Sequence, residues 1–269
     1  MSDRYCVIGN PIAHSKSPLI HAAFAAQTGQ DLTYERELAP LDGFDAHVHG
    51  LIAAGVRGAN VTVPFKLDAA RLATSLSARA EAAGAVNTLT FIDGAILGDN
   101  TDGPGLVADI VQNAGVDLTG KRVLLLGAGG AARGVVLPLV QASAARIVVD
   151  NRTRANANAL VATFLDARVT ACEYADIAAV FDVVVNATSA SLAGDLPPVP
   201  ACAFSASTLA LDMMYAARPT PFMDFAASHG AQVRDGLGML VEQAAEAFAL
   251  WRGVRPSTAP IFALLRNPA

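Results

Sequence analysis

The run VLLLGAGGAARG, residues 123–134, leaves this chain few folds to choose from. Four apolar residues read as a buried strand, the glycines as a tight turn, and the Ala/Val/Leu-rich segment after them as a helix. Gly127, Gly129 and Ala132 fill the three positions of G-x-G-x-x-G/A. Gly127 lets the chain turn, Gly129 lets a pyrophosphate approach the backbone, and Ala132 keeps the helix against the strand, with the anion on the helix N-terminus. A plain strand–helix turn would also accept these glycines, but the strand before and helix after favour dinucleotide binding. Further strands follow in ARIVVDNRT, FDVVVNATS, STLALDMMY and AQVRDG. This region therefore reads as a doubly wound, Rossmann-type parallel sheet.

The residues ahead of it also alternate. RYCVIG is a strand. SPLIHAAFAAQTG is a helix with Ser17 as N-cap, Pro18 at its first position and Gly29 past its end. LTYERELA and GANVTV are strands on either side of a helix, FDAHVHGLIAAG, and AVNTLTFIDGAILGDN is a hairpin about Asp93-Gly94. A largely parallel sheet is expected here too. TDGPGLVADIVQNAG is a helix linking the halves, and GMLVEQAAEAFALWRGV and TAPIFALLR supply the last helical segments. The chain is thus α/β, and 269 residues suffice for two such domains.

Composition removes several function classes. Apolar residues make up 53% of the chain, which supports large cores and argues against disorder. A net charge of −5 without a long basic run speaks against a nucleic-acid surface. Cys6, Cys172 and Cys202 are too few and too scattered for a disulfide framework or a metal site, so no metal is expected and a reducing cytoplasm fits best. No segment reads as a signal peptide or a membrane span.

The candidate site residues each carry a bland alternative. In GANVTVPFKL, Val61, Val63 and Phe65 alternate with Asn60 and Thr62, and Lys66 follows Pro64. Lys66 is either a solvated helix residue or, with Asn60 and Thr62, part of a site floor. Extended, residues 60–66 would span roughly 20 Å, so a site needs Pro64 to turn the chain. Ser15 and Ser17 in NPIAHSKSP put two hydroxyls at a helix start, fit for a small carboxylate or for capping alone. Asp99 and Asp102 in GDNTDG are turn carboxylates or site carboxylates. Gln243 lies in the apolar stripe Leu240, Ala244, Ala247, Phe248, Trp251 and must find a partner, backbone or ligand. After the second Rossmann strand, Asp150 would suit an NAD ribose, whereas Asn151, Arg152, Thr153 and Arg154 would suit a 2′-phosphate; the balance favours NADP.

Taken in order, GNPIAHSKSP, GANVTVPFK, GAVNTL, GDNTDG, LGAGGAARG, NRT, NATS, DMMY and DGLGMLVEQAA make the chain resemble the shikimate dehydrogenase family over essentially its whole length. The resemblance implies reversible NADPH-dependent reduction of 3-dehydroshikimate to shikimate in aromatic amino-acid biosynthesis, with a quinate/shikimate dehydrogenase of relaxed NAD/NADP use as the alternative. It implies a discontinuous substrate domain, residues 1–101 and 237–269, a dinucleotide domain, 102–236, and a cleft between them. Lys66 and Asp102 would be the catalytic pair. Ser15 and Ser17 would hold the substrate carboxylate, and Thr62, Asn87, Asp102 and Gln243 its hydroxyls, with Tyr215 nearby. Gly127, Ala128, Gly129, Gly130 and Ala131 would cradle the pyrophosphate; Asn151, Arg152, Thr153 and Arg154 would surround the ribose phosphate; Met213 and Gly236 would flank the nicotinamide. The family's N-R-T-x-x-R has Asn156 in its last place here, with Arg154 as the extra arginine. Partners would be the small-molecule substrate alone, with no nucleic acid and no membrane, the chain being monomer or homodimer.

Overall fold

A computed structural model describes residues 2–216 and 218–266. Residues 1 and 267–269, the extremities of the expected first domain, lie outside the described ones. The chain divides into two compact units, Met1–Gly105 with Val241–Ala269, and Leu106–Leu240.

The first unit is built on strands β1 (Asp3–Gly9), β2 (Leu32–Leu38), β3 (Val56–Val61), β4 (Ser75–Leu76), β5 (Thr88–Ile92) and β6 (Ala95–Asp99). Their order is β2-β1-β3-β5-β6-β4. The sheet is mixed rather than largely parallel, because β5 runs antiparallel to both β3 and β6. The β5–β6 hairpin turns at Asp93 (φ 49°) and Gly94 (φ 78°), two left-handed residues that match the twist of the paired strands. Short β4 and the alanine-rich helix Ala78–Ala83 have no counterpart in the sequence reading. One face buries Ile8, Val61, Phe65, Val86 and Leu89. Asn60, read on the polar face of this strand, is buried, since β3 is interior to the sheet and covered on both sides. Val63, expected on the apolar face, lies beyond the strand and is exposed.

The second unit holds β7 (Arg122–Leu126), β8 (Arg146–Asp150), β9 (Val169–Cys172), β10 (Val183–Asn186), β11 (Leu209–Asp212) and β12 (Gln232–Arg234). Its order is β12-β11-β10-β7-β8-β9, with every pair parallel. Counted within the unit this is 6-5-4-1-2-3, the doubly wound order, and it reverses between β7 and β10. Strands β7, β8 and β10 are fully apolar inside because helices cover both faces. Ligands of such sheets bind at the carboxyl ends of the strands flanking the reversal, and the glycine turn leaves β7 at that point.

Candidate active site

In the first unit, polar side chains collect where β1, β3 and β6 end and β5 begins. Beyond Val61 the chain turns, the Phe65 N–H donating to the Thr62 carbonyl at 3.0 Å, and Lys66 opens the helix Lys66–Leu72. This supplies the turn that residues 60–66 needed; the Val63–Pro64 peptide within it is cis. The Val86 N–H donates to the Lys66 carbonyl (2.9 Å), tying the helix start to the segment ahead of β5.

Half-buried Lys66 donates from Nζ to Asp102 Oδ2 at 2.6 Å. Asp102 opens the helix Asp102–Ala108, its N–H held by Asn100 Oδ1 at 3.1 Å. Its other oxygen, Oδ1, accepts from Asn87 Nδ2 at 2.8 Å. The Asn87 amide is oriented from behind: the Thr101 N–H donates to its Oδ1 (2.8 Å), so its NH2 must face Asp102. Gln243 Oε1 accepts from Thr101 Oγ1 (3.3 Å) and Asn87 Nδ2 (3.4 Å). The amide in the apolar stripe thus finds its partners in polar side chains, while Ala244, Ala247 and Phe248 beside it are fully buried.

Ser17 is not the N-cap. Lys16 holds that position without a side-chain cap bond, and Ser17, already helical, is buried on the first turn. Its N–H donates to Ser15 Oγ at 3.3 Å, and the forked guanidinium of Arg36 holds the Ser15 carbonyl at 2.6 and 3.0 Å. Thr62 is half-buried, with its N–H on the Ile8 carbonyl (2.9 Å). Asp99 stands apart from this cluster. Its oxygens accept from Arg79 at 2.6 and 2.9 Å and from Ser77 Oγ at 2.6 Å. Burial pulls its pKa up, but Arg79 and Ser77 outweigh burial and hold it below the ordinary 3.8. Asp99 is therefore a structural anchor. The sequence reading passed over Asn100, Thr101, Thr88 and Tyr34; the available signal was the repeated Asn-Thr pair, at 87–88 and 100–101, in an otherwise apolar chain. A hollow of about 360 Å³ elsewhere on this unit, lined by His49, Arg57 and Asp93 among others, includes none of the cluster.

The second unit carries a pocket of about 830 Å³ lined by residues 126–131, 150–153 and 187–190, with Asn156 and residues 195–198. Gly127 needs its glycine: its φ is +107°, and a Cβ would lie 3.2 Å from the Ala187 carbonyl group. At Gly129 and Gly130 a Cβ would meet nothing within 4 Å, so their backbone faces open space at the start of the twelve-residue helix Gly130–Gln141. Free amides of a helix N-terminus beside a bare glycine surface fit a pyrophosphate. Asn151, Arg152 and Thr153 line the same pocket, with the Asn151 amide on the Thr153 carbonyl at 2.9 Å. Arg154 does not line it; it opens the next helix and pairs with Glu173 at 2.7 Å. Asp150 does line it, buried, with burial raising its pKa. Met213 and Gly236 touch each other: a Cβ at Gly236 would collide with the Met213 carbonyl oxygen, and the Gly236 N–H donates to the Met214 carbonyl at 2.9 Å. Tyr215 follows them, partly exposed, with burial of its ring raising the phenol pKa. These three residues belong to the second unit.

Residues 7–89 match the shikimate dehydrogenase substrate binding domain, 108–193 the shikimate / quinate 5-dehydrogenase family, and 236–265 the shikimate 5′-dehydrogenase C-terminal domain. A shikimate dehydrogenase (NADP+) of Herminiimonas arsenicoxydans is 63% identical over 99% of this chain and 98% of its own length. Among solved structures, an Ael1 enzyme from Pseudomonas putida superposes with a TM-score of 0.96 at 49% identity, over 99% of each chain. Shikimate 5-dehydrogenase from Thermus thermophilus, in complex with NADP(H) and shikimate, does so with a TM-score of 0.88 at 35% identity over 98% of each. The chain belongs to the shikimate dehydrogenase family.

Proposed function

We propose that the protein interconverts shikimate and 3-dehydroshikimate with NADP(H), in the biosynthesis of aromatic amino acids. Lys66 and Asp102 form the proton-transfer pair, the first unit holds the substrate and the second the cofactor. The observation that carries this reading is the 2.6 Å contact of Lys66 Nζ with Asp102 Oδ2, while Asn87 Nδ2 holds the other carboxylate oxygen at 2.8 Å. When bound, the nicotinamide supplies hydride transfer at C4. In the reducing direction the Lys66 ammonium gives a proton to the oxygen of the carbonyl being reduced; in the oxidising direction the Lys66 amine takes the hydroxyl proton. Asp102 orients Nζ and offsets the positive charge on it. Asn87, Gln243 and Thr62 present amide and hydroxyl groups to the ring hydroxyls, and Tyr215 is a further substrate-binding residue. Ser15 and Ser17 hold the carboxylate, whose charge the start of the helix Ser17–Thr28 also favours.

On the second unit, residues 127–131 take the pyrophosphate, Met213 and Gly236 flank the nicotinamide, and Asn151, Arg152 and Thr153 take the 2′-phosphate. Arg154 joins them only by leaving Glu173. One observation favours a second reading with some NAD use: buried Asp150 lines the same pocket and could accept from a 2′-hydroxyl. Steady-state rates with shikimate and quinate, each with NADP and NAD, test both. Shikimate with NADP should give the highest kcat/KM; quinate as the better substrate, or no turnover of shikimate, would overturn the proposal.

A further inference from the structure

Behind Asn87 the hydrogen bonds continue, and each one's direction is forced. The Asn60 amide has Nδ2 3.3 Å from the Asn87 main-chain carbonyl, which can only accept, so Nδ2 faces that way and Oδ1 faces the other. The Tyr34 hydroxyl, 2.7 Å from Asn60 Oδ1, must then donate. Asn60 Nδ2 also donates to Thr88 Oγ1 at 3.1 Å. Asn87 Oδ1, 2.9 Å from Thr88 Oγ1, can only accept, so the Thr88 hydroxyl donates to it; Thr101 Oγ1 is farther, at 3.3 Å. Asn87 Nδ2 donates to Asp102 Oδ1. Every donor from Tyr34 onward therefore points the same way, toward the carboxylate that Lys66 meets from the other side.

The chain's surroundings suit a fixed device. Thr88 is fully buried, and Asn60 and Asn87 nearly so. Tyr34 lies under His21, with rings parallel to within 3° and centroids 4.1 Å apart. Burial pushes the Tyr34 phenol well up, so it stays a donor. Burial also lowers the His21 pKa to about 3, against a smaller upward pull from Asn60, although neither imidazole nitrogen has a partner at hydrogen-bonding geometry. The ring packed on Tyr34 is thus uncharged near neutral pH. Aligned buried hydrogen bonds polarise one another, so the last donor is strengthened by those behind it.

We infer that Tyr34, Asn60 and Thr88 are positioning residues: a one-directional hydrogen-bond chain that fixes the Asn87 amide and, through it, the orientation of the Asp102 carboxylate toward Lys66. This rests on the catalytic reading of Asp102 given above.

The test is steady-state shikimate oxidation by the full-length protein bearing Thr88→Val, Thr88→Ser, Tyr34→Phe or Asp102→Asn, with thermal midpoints and NADP affinity measured alongside. Thr88→Val keeps the shape and removes the hydroxyl, leaving Asn60 Nδ2 its carbonyl partner. It should lower kcat about ten- to a hundredfold, the cost of a slightly misplaced catalytic group, while shikimate KM changes much less and NADP affinity is kept. Thr88→Ser, which restores the hydroxyl, should recover kcat to within a fewfold. Tyr34→Phe, which keeps the stack on His21, should lower kcat in the same sense by a smaller factor, and decides the matter if Thr88→Val does not fold. Wild-type kcat in both Thr88→Val and Tyr34→Phe, with Asp102→Asn inactive, would overturn the chain alone. Thr88→Ser as impaired as Thr88→Val would also overturn it, by reducing Thr88 to packing. Full activity in Asp102→Asn would instead sink the catalytic reading on which the inference stands.

Discussion

Arg152 and Arg154 are two residues apart and differ in what holds them. Arg154 already has a carboxylate, Glu173, at 2.7 Å on the surface, whereas Arg152 lines the pocket proposed for the dinucleotide. A hydrogen bond to a charged group is worth about 1.5–3 kcal/mol, roughly ten- to more than a hundredfold in affinity. Arg152→Ala should weaken NADP by that much and NAD far less, as read by cofactor titration. Arg154→Ala should cost no more than a fewfold. Equal losses of NADP and NAD in Arg152→Ala would remove Arg152 from the phosphate site. The sequence made these two arginines look equivalent because the pairing with Glu173 is a tertiary contact, nineteen positions away, that spacing does not encode. Ser17 gave a similar lesson: a serine ahead of Pro18 reads as a cap, yet the helix starts one residue early and Ser15 takes up the free N–H.

Within the first unit, Gly105 meets Gln243 at close range. A Cβ on Gly105 would lie 2.7 Å from both Cβ and the main-chain N of Gln243, and 2.9 Å from its Cα. The helix Asp102–Ala108 can lie against Leu237–Arg252 only because that methyl is missing. Gly105→Ala should cost about 1–3 kcal/mol of stability through overpacking and should raise shikimate KM by displacing Gln243. Unchanged stability and KM would show that the helices part without consequence. A second element-level device is the anchor of β6. Arg79 grips Asp99 and also reaches Glu246 at 3.0 Å, joining the helix Ala78–Ala83, the strand end and the helix Leu237–Arg252. The pKa of Asp99 is lowered on folding, so its ion pair stabilises the fold above the unfolded value near 3.8, and that stabilisation is lost as pH falls through the lowered value. Unfolding free energies against pH should separate wild type from Arg79→Ala at neutral pH and converge below about pH 4. Curves that stay parallel through and below the unfolded value near 3.8 would contradict the assignment.

Each unit has its own apolar core, and what was legible in the sequence follows from how each core is made. The second unit's strands are buried on both faces and appear as unbroken runs, such as those ending at Leu126 and Val185, so its parallel sheet and glycine turn could be read directly. Strand β9 escaped because most of its residues are only half-buried and carry no period. In the first unit the hairpin was readable from Asp93-Gly94, but the reversal of β5 against β3 was not, since direction is set by tertiary pairing. The polar cluster was legible in Lys66, Asp102, Asn60 and Gln243, and illegible in Tyr34, Thr88, Asn100 and Thr101 behind them, because a buried Thr or Tyr in a strand resembles any other. No helix among the described residues is long and apolar enough to cross a membrane.

In the proposed reaction, Lys66, held by Asp102, moves the proton in shikimate oxidation with NADP. The most direct test compares wild type with Lys66→Ala and Lys66→Arg in one assay, following reduced nicotinamide by absorbance, with NADP binding measured on the same samples. Wild type should form reduced cofactor from shikimate. Lys66→Ala should bind NADP normally, because the pocket proposed for the cofactor is lined by residues of the second unit, yet lose about a hundred- to ten-thousandfold in kcat, the usual worth of a positioned acid or base. Lys66→Arg should not recover the rate, since its guanidinium stays protonated. A Lys66→Ala variant whose kcat stays within a fewfold of wild type would contradict the account.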